Sequence, residues 1–262
     1  MLVHHSTTFI GIDLAWRSEK NHSGIVVAKG DRSGARFKIC LHDIMSPQKV
    51  VGCITDYSSP NTVIAVDAPL IIKNAVGQRP CEKLIGQKFG KHHASAHSSN
   101  LALYPDPGGV GLAAALKEAG FSHYLNPATD KLRGGRWFFE VYPHAGQVVL
   151  FNLEKTIKYK KGRVAERRKG LRELRQHLEE RLPRADPPFC LNEVFEGLLG
   201  EDVEALKGKA LKRYEDVLDA CFCAYLAMFY WRWGGEKNEM IGDLESGYII
   251  NPTEPLCEKH AA

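Results

Sequence analysis

The chain has 262 residues, 44% of them apolar and 25% charged, with a formal net charge of +4 at pH 7. These proportions exclude wholesale disorder, and the charge is too small to indicate a polyanion-binding protein without help from its distribution. No apolar run reaches the roughly 18 residues that span a bilayer, and the opening MLVHHSTTF lacks the pattern of a secretory leader, so neither membrane nor export is expected.

The first element is TTFIGIDLAW, Thr7 to Trp16, a run built like a buried strand that carries an acid, Asp13, near its end. A carboxylate is almost never fully buried without a partner or a metal, so Asp13 belongs at the strand's mouth, facing solvent and a ligand. SGIVVAKG and ARFKICLHDI follow as short β-type runs joined by GDRSG, whose Gly, Asp and Ser make a tight turn, which predicts a three-stranded meander. SPQKVVGCITDYSS then offers a Ser cap and a Pro for the first turn of a helix. NTVIAVDAPL repeats the opening pattern, a strand buried on both faces and ending in an acid, Asp67.

Residues 71–133 are irregular around one predicted helix, GVGLAAALKEAG, and form a long insertion after the fourth strand. Connections of this length are commonly functional, and this one is expected to cover the site that begins at Asp67. GGRWFFEVYPHA is a further strand-like run with Glu140 near its end. Three helices are predicted beyond it: a short one after Pro143, a basic amphipathic one from about Val164 to Arg181, and ALKRYEDVLDACFCAYLAMFYWRW, apolar around most of its circumference and hence buried. The seven cysteines are odd in number and scattered, and the two in that last helix read as small core residues, which points to a reducing cytosol. No repeat, low-complexity tract or boundary interrupts the chain, so one domain over residues 1–262 is expected.

Antiparallel strands followed by a helix, a further strand and more helices describe an α/β layer fold, in which acids at several strand ends collect at one sheet edge. The acids to collect are Asp13, Asp67, Glu140, Asp216 and Asp219, the last two being three apart on one helix face. Taken singly, each has an ordinary explanation as a turn acceptor or a surface residue. Brought together they would repel unless a cation lay between them, and such hard oxygen donors suit Mg²⁺ or Mn²⁺ rather than Zn²⁺. Two such ions roughly 4 Å apart support phosphodiester hydrolysis. The basic stretch KTIKYKKGRVAERRKGLRELR, with DKLRGGR upstream, is either a solvated helix face or a means of neutralising phosphates. His92, His93 and His97 in KHHASAH lack the further ligands of a zinc site, and GGVGLAAALKEAG lacks the Lys and Ser or Thr of a phosphate loop.

GIDLAW, AVDAPL followed by GQR, FEVYPHA, YKK followed by RRKGL, DVLDACFCAYLA and the late GYIINP together resemble the family known as domain of unknown function 429, described as predicted nucleases of the ribonuclease H fold. The resemblance implies a ribonuclease H-like mixed sheet flanked by helices. GIDLA, AVDAP and DVLDACFCAYLA are also similar to the motifs of Holliday-junction resolvases. That similarity implies Asp13, Asp67 and Asp219 as metal ligands and Asp216 as a fourth acid; Glu140 enters from the narrower family's own pattern. Leu14, Ala15 and Trp16 stand where many of those relatives have small residues, which implies a narrowed groove. Arg79, Tyr142 and Lys160 lie inside the same motifs and are expected to contact phosphate, while Arg168 reads as a solvated surface residue. The expected activity is metal-dependent hydrolysis of nucleic acid. The alternative is a module on the same fold that binds nucleic acid or a nucleotide without turnover, and a sugar-kinase-like phosphotransferase is disfavoured by the absence of a second copy of the sheet and of a Gly-rich turn after GID.

Overall fold

The computed structural model describes residues 6–15, 22–44, 46–126 and 134–257. Trp16, Lys131 and Arg133 lie outside the described residues. The meander expected at the start is present as β1 (Thr7–Asp13), β2 (Ser23–Asp31) and β3 (Gly34–Ile44), antiparallel throughout. Helix α1 (Pro47–Tyr57) follows, capped by Ser46, whose hydroxyl accepts from the Lys49 N–H, with Pro47 in its first turn. Strand β4 (Thr62–Asp67) returns parallel to β1 on the edge away from β2.

Residues 71–133 hold more structure than their composition suggests. They contain α2 (Pro80–Phe89), α3 (Gly108–Glu118) and the two-residue strand β5 (Ser122–His123). Strand β6 (Arg136–Glu140) adds parallel to β4, and α4 (Pro143–Leu150), α5 (Val164–Glu180), β7 (Phe189–Cys190), α6 (Glu193–Leu199) and α7 (Gly208–Trp233) follow. The seven-stranded sheet runs β5-β6-β4-β1-β2-β3-β7, and a separate hairpin is formed by β8 (Asn238–Asp243) and β9 (Gly247–Pro252). A mixed sheet of this order between helices is the α/β architecture the sequence predicts and is compatible with a ribonuclease H-like fold.

The pleat divides the sheet residues between two cores. Phe9, Val63, Ala65 and Phe139 point toward α7, while Ile10, Ile12, Ile64, Val66 and Phe138 point toward α1 and α3. The insertion is therefore split. Helix α3 pairs with α1 to cover the face away from α7, whereas α2 packs through Cys81, Ile85 and Phe89 onto α4 and the hairpin.

Helix α7 lies directly on the sheet. A Cβ placed on Gly11 would fall 2.0 Å from the Ala220 carbonyl oxygen and 2.1 Å from the Ala224 nitrogen, and one on Gly24 would fall 2.6 Å from the Asp216 carbonyl oxygen. Only glycine allows backbone to meet backbone at these two points. Because helix backbone blocks the site, Gly11→Ala is expected to cost about 3 kcal/mol or more through forced displacement of α7. Urea unfolding of the variant checks this, and a loss below about 0.5 kcal/mol would show that the contact yields easily.

Candidate functional site

Asp13 and Asp67 end adjacent parallel strands and are direct register partners, so their side chains leave the same face of the sheet at neighbouring positions. That face is the one covered by α7. The helix crosses at Gly11 through Ala220, and one turn earlier Asp216 stands beside Gly24, the register partner of Asp13. Two strand residues rise about 6.6 Å and four helix residues about 6.0 Å, so the step from Gly11 to Asp13 matches the step from Ala220 back to Asp216. The expected gathering of Asp13, Asp67, Asp216 and Asp219 at one sheet edge follows from this match.

Two ammonium groups stand among these carboxylates. Lys160 Nζ lies 2.9 Å from Asp219 Oδ2 and 3.4 Å from Asp67 Oδ2. Lys212 Nζ lies 2.9 Å from Glu215 Oε1 and 2.5 Å from Asp216 Oδ1. Asp219 is fully buried, and its other oxygen accepts a 2.6 Å hydrogen bond from the Tyr159 hydroxyl, which itself accepts from Gln147. Asp13 is only 9% exposed and its Oδ2 is buried without a hydrogen-bond partner.

Burial disfavours charge on Lys160, but Asp219, Asp13 and Asp67 outweigh it and hold the ammonium well above its ordinary range. Burial pushes Asp67 up to about 7, with Asp13 and Asp219 adding to the rise and Lys160 opposing it. Burial and then Asp13 raise Asp216 to about 9 against the pull of Lys212. The edge thus retains protons that isolated carboxylates would lose.

Glu140 does not join this cluster. Its register partner on β4 is Val66, not Asp67, so the pleat turns it to the opposite face. There it receives Arg79, with Nη2 at 2.6 Å from Oε1 and Nη1 at 2.9 Å from Oε2, and a 2.9 Å bond from the Leu70 N–H. Arg79 also donates to Glu82 at 2.8 Å and to the Ile71 carbonyl, and all three charged side chains are almost wholly buried. Arg79, read from sequence as a phosphate contact, is placed as a buried clamp between the insertion and β6.

The Tyr142 hydroxyl donates to the Ser95 carbonyl at 3.0 Å, so that residue ties the insertion to the site while its ring faces the cleft. Arg168 is not a solvated surface group: it donates to the Leu206 carbonyl at 2.7 Å. Arg167 donates to the Tyr159 carbonyl and Glu215, Arg172 pairs with Glu204, and Arg175 donates to the Leu199 carbonyl. These arginines of α5 brace neighbouring segments instead of presenting a free basic face.

A cleft of about 780 Å³ opens over the acids, walled by Ser95, Ala96 and His97 of the insertion and by residues 156–162. The walls are stitched together by a 3.0 Å contact between Lys161 Nζ and His97 Nε2 and by a bond from the Thr156 N–H to the His92 carbonyl. The expected cover is present only in part: residues 93–99 form a side wall, while α3 of the same insertion covers the opposite face of the sheet. Sequence reasoning did not single out His144, Tyr159 or Lys212. His144 lines the cleft beside Tyr159, with Nδ1 3.1 Å from Thr156 Oγ1, and burial lowers it to about 3, so its ring is neutral. Lys212 had a usable signal, since a Lys four residues before an Asp on a helix reaches it.

Among the described residues, no group of three or more His, Cys, Asp or Glu side chains converges as a ready metal cage. At this edge the Lys160 ammonium stands between Asp67 and Asp219. The donor set itself fits a hard divalent cation: carboxylates from β1, β4 and α7, two of them, Asp13 and Asp219, with a buried oxygen that accepts no hydrogen bond.

The raised Asp67 fixes a pH dependence of stability in metal-free protein. Its proton is held to about 7 in the folded chain against an ordinary 3.8, so the stability this proton contributes is fully present below about pH 4 and is lost as pH rises through 7. Melting curves between pH 4 and 8 should show this fall in the wild type and a flatter profile in Asp67→Asn. An unchanged slope in the variant would place the retained proton elsewhere.

Among the described residues, no helix is long and apolar enough to cross a membrane. A comparison with curated proteins found no match. The profile of the family described as protein of unknown function (DUF429) matches residues 11–245, from Gly11 at the α7 contact through the β8–β9 turn, and the chain belongs to that family.

Proposed function

We propose that the protein is a metal-dependent nuclease that hydrolyses phosphodiester bonds of nucleic acid at the β1, β4 and α7 edge. The observation that carries this reading is the pair Asp13 and Asp67 at neighbouring strand ends, with Asp219 of α7 linked to Asp67 through Lys160 and Asp13 Oδ2 buried without a donor. Those three side chains would hold Mg²⁺ or Mn²⁺, with Asp216 beside them. When bound there, such an ion supplies Lewis acidity toward a phosphoryl oxygen and a more acidic water. Tyr159 and Gln147 fix the orientation of Asp219 by a buried relay of hydrogen bonds, which keeps the carboxylate aligned without solvent. Lys158 and Lys161 are exposed on the cleft wall and present positive charge to a phosphate backbone. Glu140 and Arg79 act on this reading as positioning residues that anchor the insertion wall. Seven unpaired cysteines suit a reducing cytosol.

A second reading, a binding module without turnover, is favoured by the internal lysines, which already balance the acids and let the edge fold without a metal. Assays with single-stranded and duplex DNA and RNA, with Mn²⁺ and with chelator, separate the two. Cleavage that requires Mn²⁺ and falls at least about a hundredfold in Asp13→Asn is expected. Binding that is retained without cleavage in the presence of Mn²⁺ would favour the module.

A further inference from the structure

We infer that Lys160 is a built-in counter-ion of the metal-free edge, and that a divalent cation binds only by displacing its ammonium from Asp67 and Asp219. The inference rests on the reading of this edge as a cation site and adds that the chain carries its own competitor for it.

Three observations carry it. The ammonium is 2.9 Å from Asp219 and 3.4 Å from Asp67, carboxylates of two different elements, so it stands where a bridging cation would stand. Asp219 Oδ2 is fully buried, yet its contact with Lys160 is an ion pair without hydrogen-bond geometry, and Asp13 Oδ2 has no donor at all. The ammonium donates to Asp67 Oδ2 but leaves Asp219 Oδ2 and Asp13 Oδ2 without a hydrogen bond, and so able to bind a harder ion. Finally, Lys160 lies in the irregular segment between α4 and α5, with its side chain about a quarter exposed to the cleft. Its flexible stem has a route out that requires no movement of a helix or strand.

An ammonium and a divalent ion that share the same two carboxylates repel each other strongly in a partly buried site. Their binding is therefore exclusive. Lys212 differs, because it sits on α7, is about half exposed, and pairs with Glu215 and Asp216, leaving Asp67 and Asp219 to Lys160. Exchange at Lys160 alone is enough to open the edge.

Calorimetric titration of Mn²⁺, paired with melting curves with and without Mn²⁺, tests this on wild type, Lys160→Met, Lys160→Gln, Lys160→Arg and Asp13→Asn. Circular dichroism shows which variants remain folded. Both neutral variants are expected to bind Mn²⁺ at least tenfold more tightly than wild type, to melt lower without it and to gain more from it. Lys160→Arg should bind no more tightly than wild type, and Asp13→Asn should not bind. If the folded neutral variants bind Mn²⁺ no more tightly than wild type while Asp13→Asn loses binding, the competition is refuted and the cation site stands. If neither wild type nor the neutral variants bind Mn²⁺, the cation site and the competition fall together.

Discussion

The site depends on backbone meeting backbone where α7 crosses β1. Gly11 and Gly24 remove the side chains that would hold a helix about 10 Å from a sheet, and the helix settles onto the strands. That descent carries Asp216 and Asp219 down to the level of Asp13 and Asp67. With larger residues at the two glycines, the same acids would remain on the same helix face but would stand too high to share a charge with the strand ends. A packing constraint near the middle of β1 thus sets the electrostatics at its end.

The acids so gathered create a problem of charge that the chain meets in two ways. Lys160 and Lys212 supply positive charge from a loop and from α7 itself, and Asp67 and Asp216 hold protons at pH values where free aspartates are ionised. Tyr159 and Gln147 support Asp219 from behind, so the cluster is held in position by hydrogen bonds as well as by ions. On the opposite face of the sheet a second buried network, Arg79 with Glu82 and Glu140, joins the insertion to β6 with its charges paired internally. The two networks look alike in sequence, as acids near strand ends with basic residues in nearby motifs. Both border the cleft, but in the second the arginine is already paired with both acids and all three are almost wholly buried.

Most of the fold was legible. The turn GDRSG, the Ser and Pro before α1, and two apolar runs ending in Asp13 and Asp67 each have a local cause that the structure shares. Glu140 was read into the acidic cluster by its place near a strand end, but its pleat phase relative to Val66 and Asp67 depends on register, which no local signal fixed. Helix α2 was hidden by glycines at 77, 86 and 90 and by polar residues, since its stability comes from packing Cys81, Ile85 and Phe89 on α4 and the hairpin. The basic helix was read as a possible phosphate face because sequence shows charge without showing partners. Its arginines turn out to brace the chain between α6 and α7 and the loop that carries Tyr159.

On the proposed reading, the β1, β4 and α7 edge is a cation site built by close packing and held by a lysine until the ion arrives. Anomalous diffraction from crystals of the whole chain soaked in Mn²⁺ tests it most directly. A manganese peak within bonding distance of Asp13, Asp67 and Asp219 is expected, with the Lys160 ammonium withdrawn into the cleft. A structure with no peak at this edge and Lys160 still seated between Asp67 and Asp219 would contradict it.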